Sequence, residues 1–220
     1  MNGEQAAMSY ENELDITMTV SLASLLDNYD SEYLNMARSP EENDAIINIL
    51  DGGERSLENL LETTFPGHRF WTDATRPIGN WPATPWIAFG VMDGSDRKDM
   101  FHGSKEDVKI TCDVLFDTDS GIAALVIVPM VKELTKKHGQ RWSIEFRPLK
   151  EEMRGRIAWL SNEGFRLDDK ANLGTAPNSP GDKMRSSIIT YKLFNRDELN
   201  EEEVNAAVRS LTKAYLELVD

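Results

Sequence analysis

The residues best suited to chemistry in this chain are aromatic and lie in one short segment, NWPATPWIAFG, from Asn80 to Gly90. Pro82 and Pro85 fix their own φ angles and push the residues before them toward extended conformations. The segment is therefore stiff where the chain enters a predicted strand at Trp86. Rigid tryptophan rings can stack on a planar ligand such as a nucleobase, or they can bury against helices as ordinary core.

Motifs for other chemistry are weak or missing. Gly103-Ser104-Lys105 reverses the order of a P-loop, and the three histidines are too far apart to suggest a zinc site. Two triplets, Asp96-Arg97-Lys98 and Asp168-Asp169-Lys170, have the local form of a metal-dependent nuclease site. In so acidic a chain such triplets arise easily by chance. A nuclease is kept as a minor alternative.

The first third of the chain is predicted to be helical. Leucines and tyrosines at three- and four-residue spacing predict a helix over Leu22 to Tyr33. The sequence Ser39-Pro40-Glu41-Glu42 is typical of a helix start, and Asp51-Gly52-Gly53 is predicted to end that second helix. A third helix is predicted to open at Ser56 and to end at Pro66-Gly67.

From His68 the pattern changes to extended structure. The alternating run from Val108 to Phe116 predicts a strand with one buried and one wet face, and it makes the single cysteine, Cys112, a core residue. The turn Asp117-Thr118-Asp119-Ser120-Gly121 predicts an antiparallel hairpin with the next strand, which looks buried on both faces. The predicted strands are Phe70 to Arg76, Trp86 to Met92, Val108 to Phe116, Ile122 to Val128 and Ser187 to Phe194.

Helices are predicted on the carboxyl-terminal side of these strands. They are a short basic helix over Val131 to His138, a longer one starting at Pro148, and a last helix capped by Asn200 and Glu203, while Asn172 to Gly181 reads as an irregular loop. The predicted fold class is α+β, with a central mixed, mostly antiparallel curved sheet flanked by helices and preceded by a helical lead. A half-barrel of the PUA, SRA or YTH kind is one form such a sheet can take.

Domain organisation and charge divide the chain. Residues 1–66 are predicted to form an acidic helical lead that packs on an α+β body, residues 67–220. The alternative is one continuous domain over residues 15–220. The net charge of the chain is −14, yet residues 65–196 carry 20 bases against 17 acids. Residues 1–64 alone carry a net charge of −12. The acidic N-terminus has no apolar signal core, which argues against export and favours the cytoplasm.

Three blocks of the sequence resemble the N-terminal DNA-binding domain family of McrB-type, modification-dependent (5-methylcytosine-specific) restriction enzymes. The first block is GNWPATPWIAFG, which is similar to that family's glycine-containing loop, Pro-Trp pair and apolar strand. The second is the hairpin from Val108 to Val128. The third is residues 186–219, which resemble a closing strand, a Leu-Asn-Glu-Glu stretch and a last helix. The resemblance covers about residues 20–219 at the level of pattern.

The resemblance implies a non-enzymatic domain, without cofactor or metal, that binds duplex DNA and flips a modified base into an aromatic pocket. By the match to the Pro-Trp pair, Trp86 is the first choice for a pocket wall and Trp81 the second, with Asn80 and Ile78 completing the base-pocket set. Ile78 stands where some members carry a tyrosine, which leaves the preferred base, methylcytosine or methyladenine, open. Phe89 should point to the opposite face as core.

The resemblance also implies partners, which are an AAA+ GTPase motor and a nuclease subunit of a restriction complex. Cations that flank the aromatic segment are candidates for contacts to DNA phosphates. They are Arg69, Arg76, Lys98, Lys105 and Lys109. The main alternative is an acidic protein–protein interaction module, in which the lead docks a basic partner and the tryptophans are core.

Overall fold

The computed structural model describes residues 16–28, 40–76, 84–92, 108–117, 120–171 and 187–219. These residues form an α+β fold around a five-stranded, curved sheet in the order β1-β2-β3-β4-β5 with every neighbouring pair antiparallel, so the predicted fold class is confirmed. The strands are β1 (Phe70–Ala74), β2 (Trp86–Val91), β3 (Ile110–Asp117), β4 (Ile122–Pro129) and β5 (Thr190–Asn195).

Five α-helices lie in the described parts of the chain. They are α1 (Met18–Asn28), α2 (Pro40–Thr64), α3 (Val131–His138), α4 (Trp142–Arg156) and α5 (Glu201–Val219). Short 3₁₀ turns cover Gly139–Arg141, Ala158–Glu163 and Arg196–Glu198. Within these ranges no helix combines the length and the apolar character that a membrane span requires.

One face of the sheet, which we call the first face, packs against α1, α2 and α5. Leu50 of α2 and Phe89 of β2 are fully buried in the same apolar cluster as Tyr215 of α5. Cys112 is buried there too, as its place in the alternating run predicts. The described part of the acidic lead therefore shares one core with the sheet.

Several predicted features are confirmed. The hairpin between β3 and β4 is antiparallel, with Asp117 opposite Ile122. The side chain of Asn200 accepts a hydrogen bond from the backbone N–H of Glu203 at 3.1 Å, which caps α5. The short basic helix lies at Val131–His138 as predicted. The last strand begins at Thr190, three residues later than the sequence pattern indicates.

Helix α2 runs unbroken through Asp51-Gly52-Gly53, so the predicted helix end there is wrong. A Cβ on Gly53 would lie 2.9 Å from Cδ1 of Ile87, which shows how closely the helix approaches β2. Glycine disfavours a helix by about 1 kcal/mol, but here close packing against the strand offsets that cost. Ser56 therefore lies inside α2 and does not open a new helix, and its hydroxyl donates to the backbone carbonyl of Ile16.

Helix α4 begins at Trp142, six residues before the proline predicted to start it. Pro148 lies exposed inside the helix, where it removes one backbone donor. Phe146 is buried and Trp142 packs against the core, so apolar burial holds the first turns. The prediction placed the start too late because it relied on the local preference of proline alone.

The predicted wet face of β3 is also wrong, since every residue of this strand is buried. Thr111, Asp113 and Asp117 point away from the first face and are still less than a tenth exposed. On this second face, Ala171 and Ile188 join an apolar cluster with residues of β3, β4 and β5. Alternation therefore predicted the direction of these side chains but not their burial.

Position 90 on β2 has room only for glycine. A Cβ at this position would lie 2.9 Å from Trp71 Nε1 and 2.9 Å from Tyr215 Oη, and both aromatic side chains are buried. We expect Gly90→Ala to destabilise the protein by about 1 to 3 kcal/mol in urea unfolding, because rigid rings cannot move aside. The control is Gly155→Ala on α4, where a Cβ meets nothing within 4 Å. That control should be neutral or stabilising by up to about 1 kcal/mol, and equal losses in both variants would contradict the account.

Candidate nucleic-acid interface

Trp86, the first-choice pocket residue, is half-buried at the start of β2 and lies on the second face of the sheet. Phe89, three residues later, points to the first face and is fully buried, as the strand period predicts. The Trp86 ring is thus separate from the core that the helices cover. It packs beside the apolar cluster of the second face, which consists of Leu115, Ala124, Val126, Val128, Ala171, Ile188 and Tyr191.

The backbone around Trp86 is fixed by hydrogen bonds from both sides. The hydroxyl of Thr75 accepts from the Trp86 N–H at 2.7 Å, and the backbone N–H of Thr75 donates to the Trp86 carbonyl at 2.9 Å. On the other side, the N–H of Phe116 donates to the carbonyl of Pro85 at 2.9 Å. The ring is therefore mounted on a rigid base, which lowers the entropic cost of stacking a ligand on it.

The other predicted pocket residues, Ile78, Asn80 and Trp81, lie outside the described residues. The described structure stops at Arg76 and resumes at Thr84, between β1 and β2. Their part in a pocket stays a prediction.

Asp113 lies near Trp86 on the second face, one strand away. It stands opposite Ala88 on β2 and opposite Val126 on β4, with only 8% of its surface exposed. Burial raises the pKa of its carboxyl to about 7, although a 2.8 Å hydrogen bond from the Thr111 hydroxyl acts to lower that pKa. A carboxyl that is protonated near neutral pH can both donate and accept a hydrogen bond.

A second polar group on this face joins β5 to the chain segment beside it. Arg166 pairs with Tyr191 through two backbone hydrogen bonds of 2.7 and 3.0 Å, and its guanidinium lies 5.5 Å from the centre of the Tyr191 ring. The Asp168 carboxylate accepts from the Tyr191 hydroxyl at 2.7 Å and from Arg166 at 2.9 Å. Burial raises the pKa of Asp168, but hydrogen bonds from Tyr191, the Lys170 N–H and Arg166 outweigh it and hold that pKa at about 2.

Helix α4 supplies a cationic clamp to the same region. Arg154, with 8% of its side chain exposed, donates to the backbone carbonyls of Ile188 and Ile189 and to Asp169 at 2.7 Å. The buried amine of Lys150 also donates to Asp169, at 2.7 Å. The described stretches on either side of residues 172–186 are therefore both tied to α4, one through Asp169 and the other through Ile188 and Ile189.

The clamp bears on the nuclease alternative. Asp168 and Asp169, two members of a triplet with the form of a metal site, each accept hydrogen bonds from cationic side chains. Across the described ranges, no three histidine, cysteine or acidic residues are gathered in a way that could hold a metal ion. The other triplet, Asp96-Arg97-Lys98, lies outside those ranges.

The three predicted phosphate contacts that lie within the described ranges are not brought together at one place. Arg76 lies near Trp86, but its guanidinium pairs with Asp51 at 2.7 Å and with Glu54 at 2.6 Å on α2. These two ion pairs give Arg76 a structural role, which competes with a contact to a DNA phosphate. Arg69 and Lys109 are exposed at the opposite end of the sheet, about 20 Å away at 3.3 Å per strand residue. Lys98 and Lys105 lie outside the described residues.

Sequence reasoning missed Asp113 and Tyr191 as members of this face. The alternation of β3 does place Asp113 opposite the core, but nothing local in the sequence indicates that this side is covered. Tyr191 and Asp168 are 23 residues apart, and their contact depends on pairing that a linear pattern does not encode.

Comparison with protein-family models finds no match for this chain, and comparisons with curated proteins and with solved structures also find none. The family resemblance therefore rests on the motifs alone. Function has to be argued from the site.

Proposed function

We propose that this chain reads a modified base in duplex DNA by flipping it into a pocket on the second face of the sheet, with Trp86 as one wall. The observation that carries the proposal is the half-buried Trp86 ring on a pinned backbone, set apart from the helix-covered core. The Pro-Trp pair, which resembles the corresponding motif of the McrB-type family, also favours Trp86 as the pocket wall. In this proposal the domain has no catalytic role of its own.

The energetics of such a site are reasonable. Stacking a base on an aromatic ring contributes about 1 to 3 kcal/mol, which offsets part of the few kcal/mol needed to unpair the base. A methyl group in an apolar niche adds about 1 kcal/mol. The modified base is methylcytosine or methyladenine in this proposal.

The wider setting follows from the resemblance. We place the domain in the cytoplasm as the recognition part of a restriction system, which meets incoming DNA there. An AAA+ GTPase motor and a nuclease subunit would supply translocation and cleavage. Incubating the protein and plasmid with Mg²⁺ or Mn²⁺ checks this division, because nicking by this chain alone would overturn it.

Trp86→Ala is expected to weaken binding to the preferred modified duplex by about 10- to 100-fold, since it removes the stacking contribution. Affinity for the unmodified duplex should change less than about twofold. Fluorescence anisotropy at low salt measures both. Trp86→Phe keeps an aromatic face and should retain most of the selectivity.

The matched control is Trp159→Ala, because Trp159 is also half-buried but packs against the helix-covered core and beneath the amine of Lys213. It should leave selectivity unchanged. Equal loss in the two alanine variants, at equal thermal stability, would mean that Trp86 acts only as a structural residue.

The acidic interaction module is the second candidate, and one contact favours it. Asp51 and Glu54 on α2 together hold the guanidinium of Arg76, so the acidic lead does bind a cationic side chain within this chain. Acrylamide quenching separates the two proposals. The fluorescence of Trp86 is obtained as the difference between wild type and Trp86→Phe. If Trp86 lines a base pocket, acrylamide should readily quench this fluorescence and modified DNA should protect it. If Trp86 is only a core residue, its fluorescence should resist acrylamide with and without DNA.

A further inference from the structure

A compact basic surface lies at the end of the sheet opposite Trp86. Residues 131–141 contain four lysines and arginines against one acid, a net charge of +3 in a chain whose total is −14. These residues form α3 and the turn that follows it. The cations are Lys132, Lys136, Lys137 and Arg141. The guanidinium of Arg141 lies 3.4 Å from the carboxylate of Glu145.

Two of these lysines share a depression with a cation from the sheet. Lys136 and Lys137, together with Lys109 immediately before β3, line an open cavity of about 350 Å³. Its apolar part comes from Val108, Met130 and Leu134, and Glu133 lines one side. The N–H of Met130 donates to the carbonyl of Lys109 at 2.8 Å, which fixes the strand to the start of the helix.

Stabilisation of α3 explains only part of this arrangement. Lysines in the last turn of a helix interact favourably with its carboxyl-terminal dipole, and this accounts for Lys136 and Lys137 on their own. It does not account for Lys109, which belongs to a different element and faces the same cavity. Arg69 lies at this same end of the sheet, because its carbonyl accepts a hydrogen bond from the N–H of Met92, the residue after β2. Its side chain is exposed.

We propose that the surface formed by Lys109, Lys136 and Lys137 contacts the phosphate backbone of duplex DNA on one side of the base held at Trp86. This inference rests on the proposed function for the identity of the duplex. Lys109 lies six positions before Leu115, the partner of Trp86, which is a distance of about 20 Å along the strand. One DNA strand carries a phosphate about every 3.4 Å, so the surface meets the backbone about six base pairs from the flipped base.

The sign and density of charge favour DNA over other partners. Duplex DNA presents one negative charge per about 1.7 Å of its axis, a density that suits several cations within one depression. Outside residues 131–141 the chain carries a net charge of −17, of which −12 falls on residues 1–64, and this charge repels the duplex. The orientation of DNA on the protein would therefore be set by this patch.

The test uses the full chain and two duplexes of equal length, unmodified and carrying the preferred modified base, titrated between 50 and 300 mM salt. Lys136→Gln with Lys137→Gln removes both charges without placing acids at the helix end. We expect affinity at the lowest salt to fall about tenfold on both duplexes alike. The slope of log affinity against log salt should fall by about two.

The matched control is Arg209→Gln with Lys213→Gln, which removes two exposed cations from α5 without touching the patch. It should retain affinity and slope. The inference is overturned if the Lys136 and Lys137 variant keeps wild-type affinity and slope, or if the α5 control loses as much. It is also overturned if sedimentation shows wild-type self-association that the lysine variant abolishes, because the patch would then dock the acidic surface of a second copy.

Failure of this inference and failure of the proposed function give different results. If binding is selective for the modified duplex and the lysine variant does not weaken it, only the proposed phosphate surface is wrong. If binding depends on salt and the lysine variant weakens it, but no modified base is preferred, the phosphate surface is supported and the proposed recognition of a modified base is wrong.

Discussion

Wild-type protein is expected to lose about 2 to 3 kcal/mol of stability relative to Asp113→Asn as the pH rises from 5 to 8. The cause is the burial of Asp113, which raises the pKa of its carboxyl from 3.8 to about 7 in the folded protein. Unfolding releases this constraint, so the unfolded state ionises at a lower pH than the folded state. Asparagine keeps an acceptor for the Thr111 hydroxyl and has no proton to lose.

The direction of the effect follows from the two pKa values. Below about pH 4 the carboxyl is protonated in both states and contributes no pH dependence. Between about pH 4 and pH 7 only the unfolded state ionises, so wild-type stability falls steadily. Above about pH 7 both states are ionised and the penalty is constant. The titratable groups in the same row across the sheet are Asp73, on edge strand β1, and Tyr191 on β5.

Urea unfolding of wild type and Asp113→Asn at several pH values measures the difference. Asp73→Asn is the matched control, because Asp73 lies in the same row but is exposed. Its stability relative to wild type should change little over the same range. A constant difference between wild type and Asp113→Asn from pH 5 to pH 8 would show that Asp113 is solvated and not buried among apolar neighbours.

Arg154→Met is expected to destabilise the protein by about 3 kcal/mol. The substitution keeps the apolar stem but leaves the carbonyls of Ile188 and Ile189 without their donor, and it removes one of two cations from Asp169. Arg154→Lys keeps the charge and loses the planar fork, so it should fall between wild type and methionine. Amide hydrogen exchange at residues 187–191 should quicken in the same order.

Arg147→Met on the same helix is the control for this series, because Arg147 is exposed. It should cost less than about 0.5 kcal/mol. Losses of similar size at positions 147 and 154 would mean that the clamp does not depend on the buried guanidinium.

The part of the fold that rests on local periodicity could be predicted from the sequence. Two-residue alternation placed Cys112 and Phe89 in the core and put Trp86 on the other face, since side-chain direction in a strand depends only on parity. Helix α3, the cap at Asn200 and the hairpin after Asp117 follow from equally local signals.

The features that the sequence did not predict are all set by distant contacts. Gly52 and Gly53 resemble a helix end until Ile16 is packed against the first and Ile87 of β2 against the second. Pro148 resembles a helix start until Phe146 is seen to be buried. Whether a polar residue such as Asp113 meets water depends on what covers the sheet. Local patterns fix direction and spacing, whereas burial belongs to the assembled chain.

The candidate site divides in the same way. A motif identified Trp86, and the structure adds the bonds from Thr75 that hold it and the carboxyl of Asp113 nearby. Of the described cations that were chosen for their closeness in sequence to the aromatic segment, Arg76 lies near Trp86, whereas the strands carry Arg69 and Lys109 to the other end of the sheet. Closeness in sequence is therefore a poor guide to a shared surface in a meander of strands.

The central claim is tested most directly by anisotropy titrations of matched duplexes, unmodified or carrying 5-methylcytosine, 5-hydroxymethylcytosine, N4-methylcytosine or N6-methyladenine. Wild type and Trp86→Ala are measured side by side, with thermal unfolding to confirm that both are folded. The account predicts that wild type prefers one modified duplex by at least about tenfold and that folded Trp86→Ala loses this preference. Equal affinity of wild type for all five duplexes, or no binding at low salt, would contradict it and favour the acidic interaction module.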